Sequence, residues 1–453
     1  MLFNRAVHGR LPGLLFVAVA SFHFTAAWVG GPAPNWHGQT SEYYPLLADA
    51  FLAGQTNLLV QPSAELLALP DPYDPAANAQ FRLHDASLYR GKYYLYFGPT
   101  PAIVLFLPYK VLTGSQLPTR IAVALFCAVG FGCSCALFFL LARREKWDCP
   151  PWFGSAAVLS LGTAPAVAFL LTRPSFYEVA IGAGYGFAMA GFLLTAHGLG
   201  SPGLLAGAGA SGRDSPRTAS LVGAGLCFGL AAGCRPNFAL LAILMAGLVA
   251  FRIRSHKMRV LAFVGPVVLC GALLAGYNYV RFQNPFEFGI SYTLLANRTD
   301  LNDHFSHILG NLLPSLLVLV LSPVRLPPAD LATGLLWASP VAFLGLFAPC
   351  ILRYGPIKDQ VKLGSTRFTI YSVYVSALCI LILMALLGFV LRRYTVDFAP
   401  GFVLVSWCLL AAMWQGVQGW AKGRQIPFRI AVVAAALYSA LLDFSICVSR
   451  VPR

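Results

Sequence analysis

Apolar runs of about twenty residues recur along this chain. A run of that length is a membrane-span candidate, and in lipid only a helix or a closed barrel satisfies every backbone polar group. Hydropathy marks eleven segments: 11–29, 119–142, 152–171, 177–198, 219–233, 237–251, 260–280, 334–351, 368–391, 399–418 and 427–447. Of 453 residues, 58% are hydrophobic and only 11% charged. Soluble domains carry about 25% charged residues, so a soluble enzyme is excluded, as are a disordered chain, a coiled coil, collagen and a disulfide-stapled secreted domain. The expected fold is all-α and polytopic, with about eleven transmembrane helices in one membrane-embedded domain spanning 1–453.

Two further apolar segments, 99–113 and 308–322, are short. Fifteen helical residues cover about 22 Å against a hydrocarbon core of about 30 Å, so both are read as re-entrant or interfacial. With the N-terminus in the cytoplasm, 18 Lys and Arg then fall inside and 14 outside, while acidic residues divide 4 inside to 12 outside. Basic residues favour the cytoplasmic side. Counting 99–113 as a span would reverse every later loop. The net charge of +15 is therefore a topology signal and not a nucleic-acid footprint. The first segment lacks a small-residue cleavage site and reads as a retained span.

Several motifs lead nowhere. The eleven cysteines are scattered and form no disulfide framework and no CxxC pair. A flexible cytoplasmic linker, 199–217, holds Gly207, Gly209 and Gly212 in GxGxxG spacing, but between membrane spans it lacks the strand and helix that a dinucleotide site needs. Gly225, Gly229 and Gly233 recur every four residues, as small residues do where helices approach closely in lipid. Asp303, His304 and His307 read as a solvated loop triplet, and Asn297-Arg298-Thr299 is a glycosylation sequon only in a secretory setting.

The chemistry concentrates on the outer side. A loop over 30–118 is expected to carry two juxtamembrane surface helices. It holds seven tyrosines between Tyr43 and Tyr96, too aromatic for disorder. The stretch from Ser41 to Gly54 reads as a helix with Glu42 and Asp49 on one face, capped by Thr40 or Ser41. Asp85 and Lys92 precede the re-entrant candidate. More distant are Arg173 and Glu178; Arg235, at the apex of two short apolar segments; Arg281 and Glu287; and Arg392, Arg393, Tyr394 and Asp397. Arginines at membrane depth are costly and mark substrate paths, or else snorkel at helix ends. Snorkelling is the expected role of Arg281. Positive groups beside carboxylates at one boundary suit a lipid-linked phosphate and a base.

This arrangement resembles the class C glycosyltransferases, which include protein O-mannosyltransferases and the aminoarabinose transferases of lipid A. Their first outer loop opens on an acidic "DE-Y" motif, matched here by Ser41-Glu42-Tyr43, with Ser41 in place of Asp. Their second surface helix follows a lysine near prolines, as do Lys92 to Pro101 here. Their "RP" turn is similar to Arg235-Pro236. NPFEFG and RRYTVDFAP resemble segments of bacterial members; the resemblance implies a bacterial inner membrane, with the site expected to face the periplasm.

The resemblance implies an inverting transfer of a hexosyl or pentosyl group from a polyprenyl-phosphate donor to an acceptor hydroxyl on a glycan, lipid or protein. Glu42 and Asp85 are the expected catalytic carboxylates, with Glu42 as base. Lys92, Arg235, Arg392 and Arg393 are expected on the phosphate. Asp49, Asp397 and Tyr93 are expected on substrate, with Tyr94 or Trp36 as alternative stacking partners for the sugar. Asp85 or Asp49 would hold sugar hydroxyls or a divalent cation; no metal site or cofactor is otherwise expected. The competing reading is a lipid or polyol transporter, which predicts mid-membrane charges and an internal repeat.

Overall fold

The computed structural model describes residues 10–29, 42–163, 166–200, 215–295, 308–324, 331–355, 357, 360–361 and 364–449. Trp36, Ser41, the glycine trio of the linker, the sequon and the Asp303–His307 triplet lie outside these residues. The principal helices are α1 (Leu11–Val29), α2 (Tyr43–Leu52), α3 (Leu107–Thr113), α4 (Thr119–Glu145), α5 (Pro151–Gly162), α6 (Val167–Thr172), α7 (Phe176–Leu199) and α8 (Ser215–Ala232). They are followed by α9 (Asn237–Arg252), α10 (Lys257–Phe282), α11 (Ile308–Leu321), α12 (Gly364–Leu386), α13 (Ala399–Val417) and α14 (Lys422–Val448). The chain is an integral membrane protein. Seven of these helices, α1, α4, α7, α10, α12, α13 and α14, are each long and apolar enough to cross a membrane.

The remaining expected spans take other forms. Segment 152–171 is two helices, α5 and α6, separated near Ala166, whose backbone is left-handed (φ 68°). The break leaves the Gly162 carbonyl without its helical partner, and buried His23 of α1 meets it through Nε2 at 2.9 Å. Segments 219–233 and 237–251 are the separate helices α8 and α9. Segment 334–351 is broken into three short helices, Leu335–Ala338, Ala342–Leu346 and Ala348–Tyr354.

Local chemistry explains where the long helices stop. Helix α4 begins after Pro118, in extended backbone, and ends on left-handed Lys146, with Arg143 and Arg144 in the last turn to offset the helix dipole. Helix α7 starts on Ser175, whose hydroxyl accepts the Tyr177 N–H at 3.3 Å. The protein centre is occupied by α13 and α7, whose most apolar windows are 83% and 78% buried. Helix α10 is the opposite case at 6%. It turns Leu261, Val268, Leu269, Leu273 and Val280 outward, as a lipid-facing helix must.

The segment between α1 and α4 is folded back on the bundle. Helix α2 packs on the turn 102–113, where Ala102–Phe106 is a π-helix that continues into α3. Before it lies a small antiparallel hairpin, β1 (Ser87–Tyr89) and β2 (Lys92–Tyr94). Arg90 and Gly91 are both left-handed (φ 49° and 71°), the geometry of a two-residue hairpin turn that matches strand twist. Chain from beyond α10 joins it: Ser87 bridges Thr293, and the Leu294 N–H reaches the Ala86 carbonyl at 2.9 Å.

Backbone contact docks this segment on the turn between α8 and α9. The Gly98 and Thr100 N–H groups reach the Cys234 and Gly233 carbonyls at 3.3 and 3.1 Å. A Cβ on Gly98 would lie 2.0 Å from the Gly233 oxygen, so only glycine permits the approach. Gly98→Ala is therefore expected to cost upwards of about 2 kcal/mol, the scale of overpacking against backbone. Gly271→Ala, with nothing within 4 Å of the added carbon, is expected to leave stability unchanged or slightly raised. Thermal unfolding in detergent distinguishes the two. Equal melting temperatures would show that the contact does not constrain the fold.

Candidate functional site

At one end of the bundle, where α8, α10 and α12 finish and α7, α9 and α13 begin, lies a cavity of about 460 Å³. That is within the usual range for a small-molecule site. Its polar wall comprises Asp85, Tyr96, Tyr177, Arg235, Asn237, Arg393 and Tyr394. Ile290, Leu295, Leu383, Met384, Leu387 and Phe389 supply most of the apolar wall.

Asp85 sits just before β1 with left-handed backbone (φ 57°), which aspartate tolerates better than most residues. Its N–H reaches the Leu294 carbonyl at 3.2 Å. Arg82 fixes the preceding loop, donating to Asn78 Oδ1 at 2.9 Å, to the Pro75 carbonyl at 3.1 Å and to the Leu295 carbonyl at 3.4 Å. The Tyr177 hydroxyl donates to Asp85 Oδ2, and His84 Nε2 lies 3.6 Å from Oδ1. Burial pushes the Asp85 carboxyl up to about 6, against the opposing pull of Arg393 and Arg82.

Arg235 occupies the tight turn between α8 and α9. It is buried and donates to Asp397 Oδ2, which also accepts from Asn237 Nδ2 at 2.9 Å. Arg393 and Asp397 belong to the 3₁₀ turn Arg392–Asp397. The Arg393 guanidinium lies over the Tyr177 ring at 4.2 Å and the Tyr394 ring at 5.4 Å, and Glu178 Oε1 is 3.7 Å from its Nη1. Arg235 lies over the other aromatic wall, Tyr394, at 5.1 Å.

The structure thus gathers Asp85, Arg235 and Arg393 around one space, with Asp397 holding Arg235. The other sequence candidates stand elsewhere. Arg392 is buried away from the cavity, donating to Thr333 Oγ1 at 3.1 Å and lying over Phe169 at 5.8 Å. Lys92 is exposed at the start of β2, opposite Tyr89. Tyr93 is buried on that strand, its carbonyl accepting from Leu58 at 2.8 Å, and Tyr94 packs against Phe282. Asp49 pairs with Lys110 and accepts from Gln116 at 2.8 Å, so it ties α2 to α3. Glu42 stands half-buried at the start of α2. Next to it, the Tyr43 hydroxyl donates to the His84 carbonyl, so this helix end is tied to the turn that carries Asp85. Among the described residues no three His, Cys, Asp or Glu side chains form a group able to hold a metal.

The snorkelling expected of Arg281 is wrong. It is 2% exposed and donates to the Leu95 carbonyl and to Asn278 Oδ1, both at 2.6 Å, over the Tyr277 ring at 4.1 Å. It clamps the hairpin to the end of α10. Sequence reasoning assigned no site role to Tyr177, Tyr96 or Asn237. Tyr96 carried a signal as part of the tyrosine-rich loop, and Asn237 as the residue following Arg235-Pro236.

No known family profile matches the chain, and no curated protein matches it. Solved structures do. The Archaeoglobus fulgidus oligosaccharyltransferase tethered to an acceptor peptide superposes with a TM-score of 0.52 at 12% identity, covering 98% of this chain and 56% of that one. Its apo form gives 0.51 at 13%, covering 98% and 57%. ArnT from Cupriavidus metallidurans bound to undecaprenyl phosphate gives 0.48 at 15%, covering 97% and 76%. The chain has a class C glycosyltransferase fold. It spans just over half the length of the archaeal enzyme.

The raised Asp85 carboxyl has a consequence for stability. A carboxyl that binds its proton more tightly when folded favours the folded state in acid, and that advantage is lost as pH rises through its folded value. Wild-type stability is expected to fall between about pH 4 and pH 7. In Asp85→Asn this component of the fall disappears. Melting temperatures of both proteins across that range check it, and identical slopes would remove Asp85 as the source.

Proposed function

We propose that this chain is a membrane glycosyltransferase that moves a sugar from a polyprenyl-phosphate donor to an acceptor hydroxyl, with inversion. The observation carrying this reading is the convergence of one carboxylate and two guanidinium groups, from positions 85, 235 and 393, on one cavity with an apolar flank. A transporter site is expected near the bilayer midplane, whereas these charges gather at one end of the bundle, on helix ends and turns. A lipid-phosphate sugar fits all of it. The isoprenoid meets Leu383, Leu387 and Phe389, the phosphate meets the arginines, and the sugar lies toward Asp85, Tyr96 and Tyr177. The fold supports the same class of chemistry, since its archaeal representative is an oligosaccharyltransferase.

In this mechanism the acceptor oxygen attacks the anomeric carbon as the bond from that carbon to the phosphate oxygen breaks. The acceptor proton passes to Asp85, which is mostly ionised at pH 7 yet basic enough to take it. The departing polyprenyl phosphate gains negative charge, and Arg235 and Arg393 stabilise it in a site partly shielded from water. We assign the base to Asp85 in place of Glu42 because Asp85 lines the cavity. Glu42 and Tyr43 then serve to position the Asp85 turn. We take the region 30–118, of which residues 42–118 are described, as the outward-facing part of a single domain with the N-terminus inside, a reading the charge asymmetry of the loops supports.

The test is turnover of a panel of radiolabelled polyprenyl-phosphate hexoses and pentoses by the detergent-purified protein. Asp85→Asn is expected to lower kcat at least about a hundredfold, the scale of a lost general base. The wild-type rate should climb with pH through about 6. Wild-type turnover by Asp85→Asn would end the proposal for that residue. Arg393→Gln is expected to raise KM for the donor about tenfold or more, while Lys92→Ala stays within about twofold, as exposed charges do. The reverse order would return the phosphate to the hairpin.

A further inference from the structure

Each cavity arginine is backed by a buried carboxylate that is not among the residues lining that cavity. The Asp397 side chain is inaccessible to solvent and receives Arg235 and Asn237 on Oδ2 alone, while Oδ1 has no hydrogen-bond partner among the described residues. Glu178 is 1% exposed in the first turn of α7. Its Oε2 accepts from Ser175, and its Oε1 faces Arg393 at 3.7 Å without a hydrogen bond.

If these carboxylates served only to neutralise the arginines, two-pronged pairing would be the expected geometry, because it satisfies both oxygens and both N–H groups. Here each carboxylate leaves one oxygen without a hydrogen bond, at a desolvation cost, and meets its arginine through a single oxygen: Asp397 through Oδ2 and Glu178 through Oε1. Each guanidinium keeps N–H groups for the cavity while a fixed negative charge behind it offsets part of its own. This matters most for the product. A phosphodiester donor carries one negative charge, whereas the released phosphate monoester carries about 1.5 to 2 near pH 7, its second pKa being about 6. Two unopposed arginines would grip the product more strongly than the donor.

We propose that Glu178 and Asp397 are counter-charges that weaken retention of the bare polyprenyl-phosphate product, acting through Arg393 and Arg235 as positioning residues for its release. This rests on the glycosyl-transfer reading above. It is tested by equilibrium binding of a tritiated C20 polyprenyl phosphate to the full chain in nanodiscs. Glu178→Gln keeps the shape and the Ser175 contact and removes the charge. It is expected to bind the bare phosphate about tenfold more tightly, the effect of one charge removed several ångströms away in a partly screened site. Donor KM and kcat should fall together, and Glu178→Asp should restore wild-type affinity. Asp397→Asn is expected to act in the same direction.

Weaker or unchanged product binding by folded Glu178→Gln, with raised KM, would make Glu178 a structural support and overturn the inference. A wild-type comparison decides the matter even where a variant does not fold. The wild type is expected to prefer the phosphate monoester over its methyl diester by less than about threefold, against the tenfold or more that an unopposed extra charge would give. A larger preference overturns the inference. Absence of wild-type binding to either compound sinks the transfer reading itself.

Discussion

The geometry of this site depends on a buried arginine. Arg235 is 5% exposed, in a turn between two apolar helices. A guanidinium there is tolerable only if paired, because removing a charge from water costs several kcal/mol even after the surroundings relax. Asp397 supplies the pairing from 162 residues away, and Asn237 shares the same oxygen. That interaction fixes the α8–α9 turn against the 3₁₀ turn before α13. Once those are fixed, Tyr394 and Arg393 have defined places, and the cavity acquires two of its walls. The pair is weak as a source of stability, since well-packed apolar residues do as well. Its contribution is to geometry: it fixes which turns meet.

The remaining wall is held by backbone. Arg281 grips the Leu95 carbonyl, Gly98 and Thr100 bond to the α8–α9 turn, and Leu294 and Ser87 join the hairpin to the chain beyond α10. None of these contacts involves Asp85 as a charge. They carry the loop that carries Asp85, and its left-handed backbone brings the carboxyl to Tyr177. A loop held this way can vary its exposed residues while keeping its position, which fits a scaffold whose sites are built on connections between rigid elements.

Hydropathy and the sorting of charge made the membrane class legible, because apolar length is a property of the sequence alone. Arg235 and Arg393 were also legible as candidates, since an arginine in an apolar run has few inexpensive explanations. What could not be read was direction. Arg392 and Arg393 are neighbours of identical chemistry, yet one faces Phe169 and Thr333 and the other the cavity. Asp49 looked available because its partner Lys110 is 61 residues away. Lys92 looked well placed until Arg90 and Gly91 turned the chain into a hairpin. Segment 152–171 read as one span because hydropathy does not register a left-handed residue at 166. Tyr177 gave no signal at all, as a buried phenol in a tyrosine-rich chain is ordinarily packing.

The 3₁₀ turn explains the division of labour among its residues. With three residues per turn, positions i and i+3 share a face. Tyr394 and Asp397 therefore stand together, and both meet Arg235, one by ring and one by carboxylate. Arg392 and Thr395 share another face, and both are buried. Arg393 takes the third direction, toward Tyr177 and Asp85. An α-helix would place Arg393 and Asp397 one above the other, four residues apart, and would tend to pair them with each other. The tighter turn keeps Asp397 for Arg235 and leaves Arg393 to Glu178 and the cavity. The short irregular element before α13 thereby separates two ion pairs that a longer regular helix would tend to merge, and the cavity keeps two independent cationic groups.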